Sequence, residues 1–145
     1  ASTEGQIWIL EDPDNSNDSS IILNLEEKVC TNGQRGLLSL RPHPLFGLQN
    51  YYIYIYYTNH RKGCLEDEIE GPSNRLVLVE MDPQTFKFGP EEVLLETSPL
   101  PSRFNNGGSV TFGNDGKLYI TTGDGGQSDS MYSQQKYNLH GKILR

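Results

Sequence analysis

The residues best placed for chemistry lie in "RFNNGGSVTFGNDGKLYITTGDGG", residues 103–126. Two amides, Asn105 and Asn106, precede a glycine pair, and Asp124 stands in a Gly-Asp-Gly-Gly run. A carboxamide can orient a hydroxyl but lacks a lone pair basic enough to take its proton near neutral pH, so Asn105 is a hydrogen-bonding group rather than a base. Asp124, followed by Gln127 and Asp129, offers oxygens suited to a metal or a sugar. The glycines around it equally suit a connecting loop that needs positive φ. A second oxygen-rich run, "DPDNSND", spaces Asp12, Asp14 and Ser16 as a calcium loop would, but lacks the glycine and the distal glutamate that complete one. Glu66, Asp67, Glu68 and Glu70 could hold a cation, and more simply form a solvated loop surface. The three histidines, His43 in "RPHP", His60 in a charged loop and His140 in "NLHGK", read as structural. No phosphate loop, Cys/His zinc spacing or Gly-x-Ser-x-Gly elbow is present.

The chain has 145 residues, enough for one modest domain with a sizeable core. Its net charge of −7 and isoelectric point near 4.9, with no Lys/Arg cluster, argue against a nucleic-acid surface and leave neutral, cationic or metal-bearing partners. It contains no apolar run of the roughly 18 residues a membrane-spanning helix needs. Cys30 and Cys64 form either one disulfide, given an oxidising compartment, or two separate buried thiols. Asn17 opens an Asn-Asp-Ser sequon in an exposed polar run, an acceptor pattern that also arises by chance. Beginning at Ala1 and ending at Arg145 inside the apolar run "GKILR", the sequence reads as a fragment or as a mature chain whose signal has been removed.

Positioning these residues requires strands. Short β-rich runs separated by turn signals predict strands over residues 6–10, 36–40, 51–58, 75–82, 93–96, 109–113, 117–122 and 141–145, with almost no helical periodicity. Asn114-Asp115-Gly116 is the clearest hairpin turn. In "NYYIYIYYTNH", Tyr51, Ile53, Ile55 and Tyr57 share one face while Tyr52, Tyr54, Tyr56 and Thr58 share the other. Neither face is polar, so this strand needs cover on both sides, as in a sandwich or between propeller blades. Residues 59–74, charged and ending in Gly-Pro-Ser-Asn, read as an exposed loop.

In "GQRGLLSLRPHPLF", "YYIYIYYT", "NNGGSVTFGNDGKLYITTGDGG" and "NLHGKILR", taken in that order, the chain resembles the soluble glucose/sorbosone dehydrogenase family. This family of six-bladed β-propellers includes pyrroloquinoline quinone (PQQ) dependent aldose dehydrogenases and the propeller of Hedgehog-interacting proteins. The resemblance implies an all-β fold in which residues 1–145 supply about three blades of four-stranded antiparallel sheets. The remaining half of the propeller, beyond Arg145, is then an obligatory partner. It also implies roles by position. Gln34 matches a glutamine that lies against the quinone, and Asp124 matches the aspartate that holds the family's general-base histidine. That histidine's own position is Asn105, so the sequence departs from the family at the proton-accepting group. The arginines and lysine that clamp the quinone carboxylates, and the carbonyls that hold its Ca²⁺, belong to later blades. Two functions follow. One is a secreted, catalytically impaired propeller that binds a sugar, glycan or extracellular protein; the other is an active PQQ- and Ca²⁺-dependent dehydrogenase oxidising an aldose at C1.

Overall fold

A computed structural model describes residues 2–10, 19–65, 70–126 and 131–145. The calcium-spaced Asp12, Asp14 and Ser16, the sequon at Asn17, the acidic residues 66–68, and Gln127 and Asp129 lie outside the described residues.

Nine strands form three antiparallel sheets: β1 (Gln6–Leu10) with β2 (Ser19–Asn24); β3 (Leu37–Pro42), β4 (Tyr52–Asn59), β5 (Ser73–Glu80) and β6 (Glu92–Glu96) in sequential order; and β7 (Gly107–Phe112), β8 (Leu118–Thr122) and β9 (Ile143–Leu144). The one complete four-stranded blade is flanked by two smaller sheets, the arrangement of a partial propeller. One short 3₁₀ turn, Met131–Gln134, interrupts the long connection from β8 to β9. Strand β2 was not foreseen, because "SSIILN" follows a polar run without alternation and is defined only by its pairing with β1. The final strand is shorter than its apolar run suggests, pairing β8 only at Ile143 and Leu144.

The doubly apolar β4 has both faces covered. Ile53, Ile55 and Tyr57 pack with Val77 and Val79 of β5 against Ile7, Leu25 and Val29 from the first sheet and its following turn. Tyr56 and Leu76 pack on the opposite side against Val110 of β7 and Ile120 of β8. A buried tyrosine removes roughly 150–250 Å² from water, worth at most about 4–6 kcal/mol at roughly 25 cal/mol per Å². Burial also pushes the Tyr56 and Tyr57 hydroxyls up to about 12. The β7–β8 hairpin turns at Asn114-Asp115-Gly116, where Gly113 and Lys117 are bonded at 2.9 Å and Gly116 takes a φ of 73°.

Strand direction sorts the loops into two groups. The β3–β4, β5–β6 and β7–β8 connections turn at one end of the sheets. At the other end lie the approach to β3, residues 60–72 between β4 and β5, residues 97–106 between β6 and β7, and residues 123–142 between β8 and β9. Gln34, Asn105 and Asp124 all belong to this second end.

Candidate functional site

A buried hydrogen-bond chain crosses the complete blade toward the site. Thr58 Oγ1 on β4 donates to Asn74 Oδ1 on β5 at 2.9 Å, and Asn74 Nδ2 donates to the Asn106 carbonyl at 2.9 Å. Thr97 Oγ1 accepts from the Asn74 backbone N–H at 3.0 Å. Asn106 is 1 % exposed, and its carbonyl also accepts the N–H of Gly123 at 3.0 Å. The loop before β7 is therefore fixed by main-chain bonds that no periodic pattern announces.

Asn105 sits on this anchored loop with a φ of 52°, the left-handed region that asparagine enters more readily than most residues. Its N–H donates to Gln34 Oε1 at 2.6 Å, and its carbonyl accepts the N–H of Gly125 at 3.0 Å. The Gln34 N–H reaches the Arg103 carbonyl at 2.8 Å, so the turn before β3 and the loop before β7 are joined twice. The close approach depends on absent side chains: a Cβ on Gly123 would stand 1.8 Å from the Asn105 carbonyl oxygen, and one on Gly107 would stand 2.2 Å from the Gly123 nitrogen.

The three residues singled out by position thus share one face, with Gln34 and Asn105 in direct contact and exposed. Asp124 lies in the loop bonded to Asn105, where its Oδ1 accepts the N–H of Gly126 at 2.9 Å. Among the described residues it makes no bond to the Asn105 side chain. Asp124 instead exerts a field on His140, which is 2 % exposed. His140 Nε2 lies 2.9 Å from Ser98 Oγ, and the ring packs on Tyr132 with centroids 5.6 Å apart. Burial, with Lys142 adding to it, holds His140 below its ordinary value against the opposing pull of the Pro99 carbonyl and Asp124. His140 is a neutral structural ring beneath the site. His43 lies at the opposite end, accepting the Leu45 N–H at 3.1 Å, and the His60 N–H donates to the Lys28 carbonyl at 2.9 Å.

Cys30 and Cys64 are joined in a disulfide, with Cα atoms 5.5 Å apart. The bond ties residues 60–64 to the segment leading into Gln34. Arg35, 3 % exposed, strengthens the tie: its Nη1 donates to Asn32 Oδ1 at 3.1 Å and to the Cys64 carbonyl at 2.9 Å. Arg35, Asn74 and Asn106 were not singled out from sequence. Ser73-Asn74, polar residues at the mouth of the apolar strand "RLVLV", were the available signal for one of them.

A family model described as Glucose / Sorbosone dehydrogenase matches residues 1–145. HIPL2 protein of Arabidopsis thaliana is 45% identical over 67 residues, a match covering 43% of this chain and 10% of that protein. A solved glucose dehydrogenase matches 100% of this chain and 39% of its own, with a TM-score of 0.80 at 20% identity. The soluble aldose sugar dehydrogenase of Escherichia coli, in its apo-form, matches over 99% of this chain and 38% of its own, with a TM-score of 0.76 at 22% identity. The chain spans well under half of each of these proteins.

Proposed function

This chain belongs to the glucose/sorbosone dehydrogenase family, and from that premise we propose that it forms part of a secreted propeller whose Gln34–Asn105–Asp124 face binds a saccharide without oxidising it. The single observation that carries this reading is Asn105, held by Gln34 and Gly125 at the position of the family's proton acceptor. Oxidation at C1 requires the hydroxyl proton to leave as the hydride does. The Asn105 amide can donate to or accept from a sugar hydroxyl, but cannot hold that proton. Loss of a general base typically costs about 10²–10⁴ in rate, or roughly 3–5 kcal/mol. His140 does not replace it, because its ring is buried against Ser98 and Tyr132.

The residues present fit a quinone cofactor only in part. Gln34 presents an exposed amide whose nitrogen has no partner among the described residues. A polycarboxylate group such as PQQ also needs cations, and the one arginine in the loop beside Asn105, Arg103, lies over the Phe104 ring at 5.2 Å. Among the described residues no cluster of three or more His, Cys, Asp or Glu side chains could hold a metal. These residues therefore do not by themselves hold PQQ or its Ca²⁺, and no step is derived through either. The disulfide supports an oxidising, extracellular setting, and no described helix is long and apolar enough to cross a membrane. The remainder of the propeller, beyond Arg145, belongs to this proposal, since a propeller closes when its last blade meets its first.

Dye reduction by the full-length protein, supplied with PQQ, Ca²⁺ and an aldose, tests the reading beside an Asn105→His variant. The expected result is negligible turnover for the natural protein and a gain of about 10²–10⁴ for the variant if the rest of the cofactor site is intact. Robust turnover by the natural protein would sink the non-catalytic reading and establish the aldose dehydrogenase in its place.

A further inference from the structure

Besides Asn105, one other non-glycine residue at the site end has a left-handed backbone: Arg61, with a φ of 49°. Such a conformation persists where its surroundings over-determine it. Here the Gly63 N–H closes a tight turn on the His60 carbonyl at 2.7 Å, while the His60 N–H is bound by Lys28. Cys64 is then fixed by its disulfide to Cys30 and by two donors to its carbonyl, Asn32 Nδ2 at 3.2 Å and Arg35 Nη1 at 2.9 Å. The turn is fastened at both ends, and its product is the placement of one side chain.

Arg61 lines a cleft of about 740 Å³ together with Asn59, Arg75, Glu96, Thr97, Ser98 and Pro99. Within it, Glu96 accepts a bond from Ser73 Oγ on one oxygen, and Arg75 Nε and Nη2 at 3.2 and 2.9 Å on the other. Arg75 therefore answers Glu96 directly. Arg61 also feels the Glu96 field, yet the cleft still holds two guanidiniums against one carboxylate, in a chain whose net charge is −7. Hydroxyl and amide groups from Ser98, Thr97 and Asn59 complete a polar lining. The cleft adjoins the candidate site through Ser98, which is bonded to His140 in the field of Asp124.

The geometry points to this cleft as a second saccharide subsite, which takes an acidic sugar residue whose carboxylate pairs with Arg61, while the neutral portion of the ligand lies at Gln34, Asn105 and Asp124. The inference rests on the saccharide-binding reading above. A planar guanidinium suits a carboxylate because its parallel N–H groups match the two oxygens. Arg61 is thus the specificity-determining residue.

Calorimetric titration of the full-length protein with two tetrasaccharides of equal length, one neutral and one carrying a uronic acid, tests this. The acidic ligand is expected to bind about tenfold tighter or more, with the advantage shrinking as salt is raised. Arg61→Gln should abolish the preference and leave neutral affinity unchanged. Arg61→Asn, whose residue accepts the left-handed backbone, should do the same if the glutamine variant fails to fold. Equal affinities in the natural protein, or a preference that survives the folded variant, overturn the subsite while leaving saccharide binding intact. If neither ligand binds, the saccharide-binding reading has failed and the subsite with it.

Discussion

Strand β4 and the loop at residues 103–106 stand at opposite ends of one hydrogen-bond chain, through Thr58, Asn74 and Asn106, yet different forces hold them in place. In β4, Ile55, Tyr56 and Tyr57 are all at 0% exposure between two apolar clusters, so displacing the strand exposes two cores at once. The loop has no such cover. Asn105 is exposed, and its position depends on Gln34, Gly123, Gly125 and Asn74. Packing fixes the blade to within a rotamer, whereas directed hydrogen bonds fix the loop. A ligand face built on polar groups must remain wet enough to exchange water for ligand, and so cannot be secured by burial alone.

The largest effect expected from breaking this contrast is at Ile55. Ile55→Ala opens a cavity in the cluster shared with Ile7, Leu25 and Val29 and should cost about 2–5 kcal/mol of stability. Urea unfolding of the full-length protein measures it. Ligand affinity of the still-folded protein should hold, since no ligand-facing group is touched. A matching loss of affinity would show that packing and site are one unit.

Asn74→Ala tests the other side. It removes the donor to the Asn106 carbonyl and the acceptor for Thr58, leaving buried polar groups short of a partner at a cost of about 1–3 kcal/mol. Its weight should fall on the site. Amide exchange at residues 104–106 should speed up, and ligand affinity should drop by more than it does in Ile55→Ala. Unchanged exchange there would mean that Gln34 and the glycine loop hold Asn105 without Asn74.

The same contrast decides what could be read from sequence. Both faces of β4 are visible in "NYYIYIYYTNH", because a strand with no polar face announces two covers, and the turn at Asn114-Asp115-Gly116 announces its own geometry. Strand β2 left no trace, since pairing with β1 rather than alternation defines it. At the site, Asn105, Gln34 and Asp124 were legible only through the order and spacing of motifs. The bonds that assemble them run between main-chain atoms and residues 71 positions apart, as from Asn105 to Gln34, and main-chain donors carry no residue-type signature. Arg35 and the Arg61 turn were hidden for a related reason: each matters through the carbonyls and the disulfide around it rather than through its own pattern.

The smallest effect expected is in pH dependence, and it arises where core and site meet. Burial lowers His140 from its ordinary value of 6.5, so the unfolded chain binds a proton there more readily than the folded one. Stability from this group is therefore fully present above about pH 6.5 and declines as pH falls from that value toward the lower folded one. Glu96 acts in a lower window: partial burial opposes its charge, but Ser73 and Arg75 outweigh that and hold it below 4.5, so its contribution is present above that value and is lost in stronger acid. Unfolding midpoints should accordingly drift downward just below pH 6.5 in the natural protein and stay level there in His140→Gln, with both proteins losing stability together at lower pH. A drift that persists in His140→Gln would assign the upper window to another group. It would also detach His140 from the buried layer that supports Ser98 on one side and Asp124 on the other.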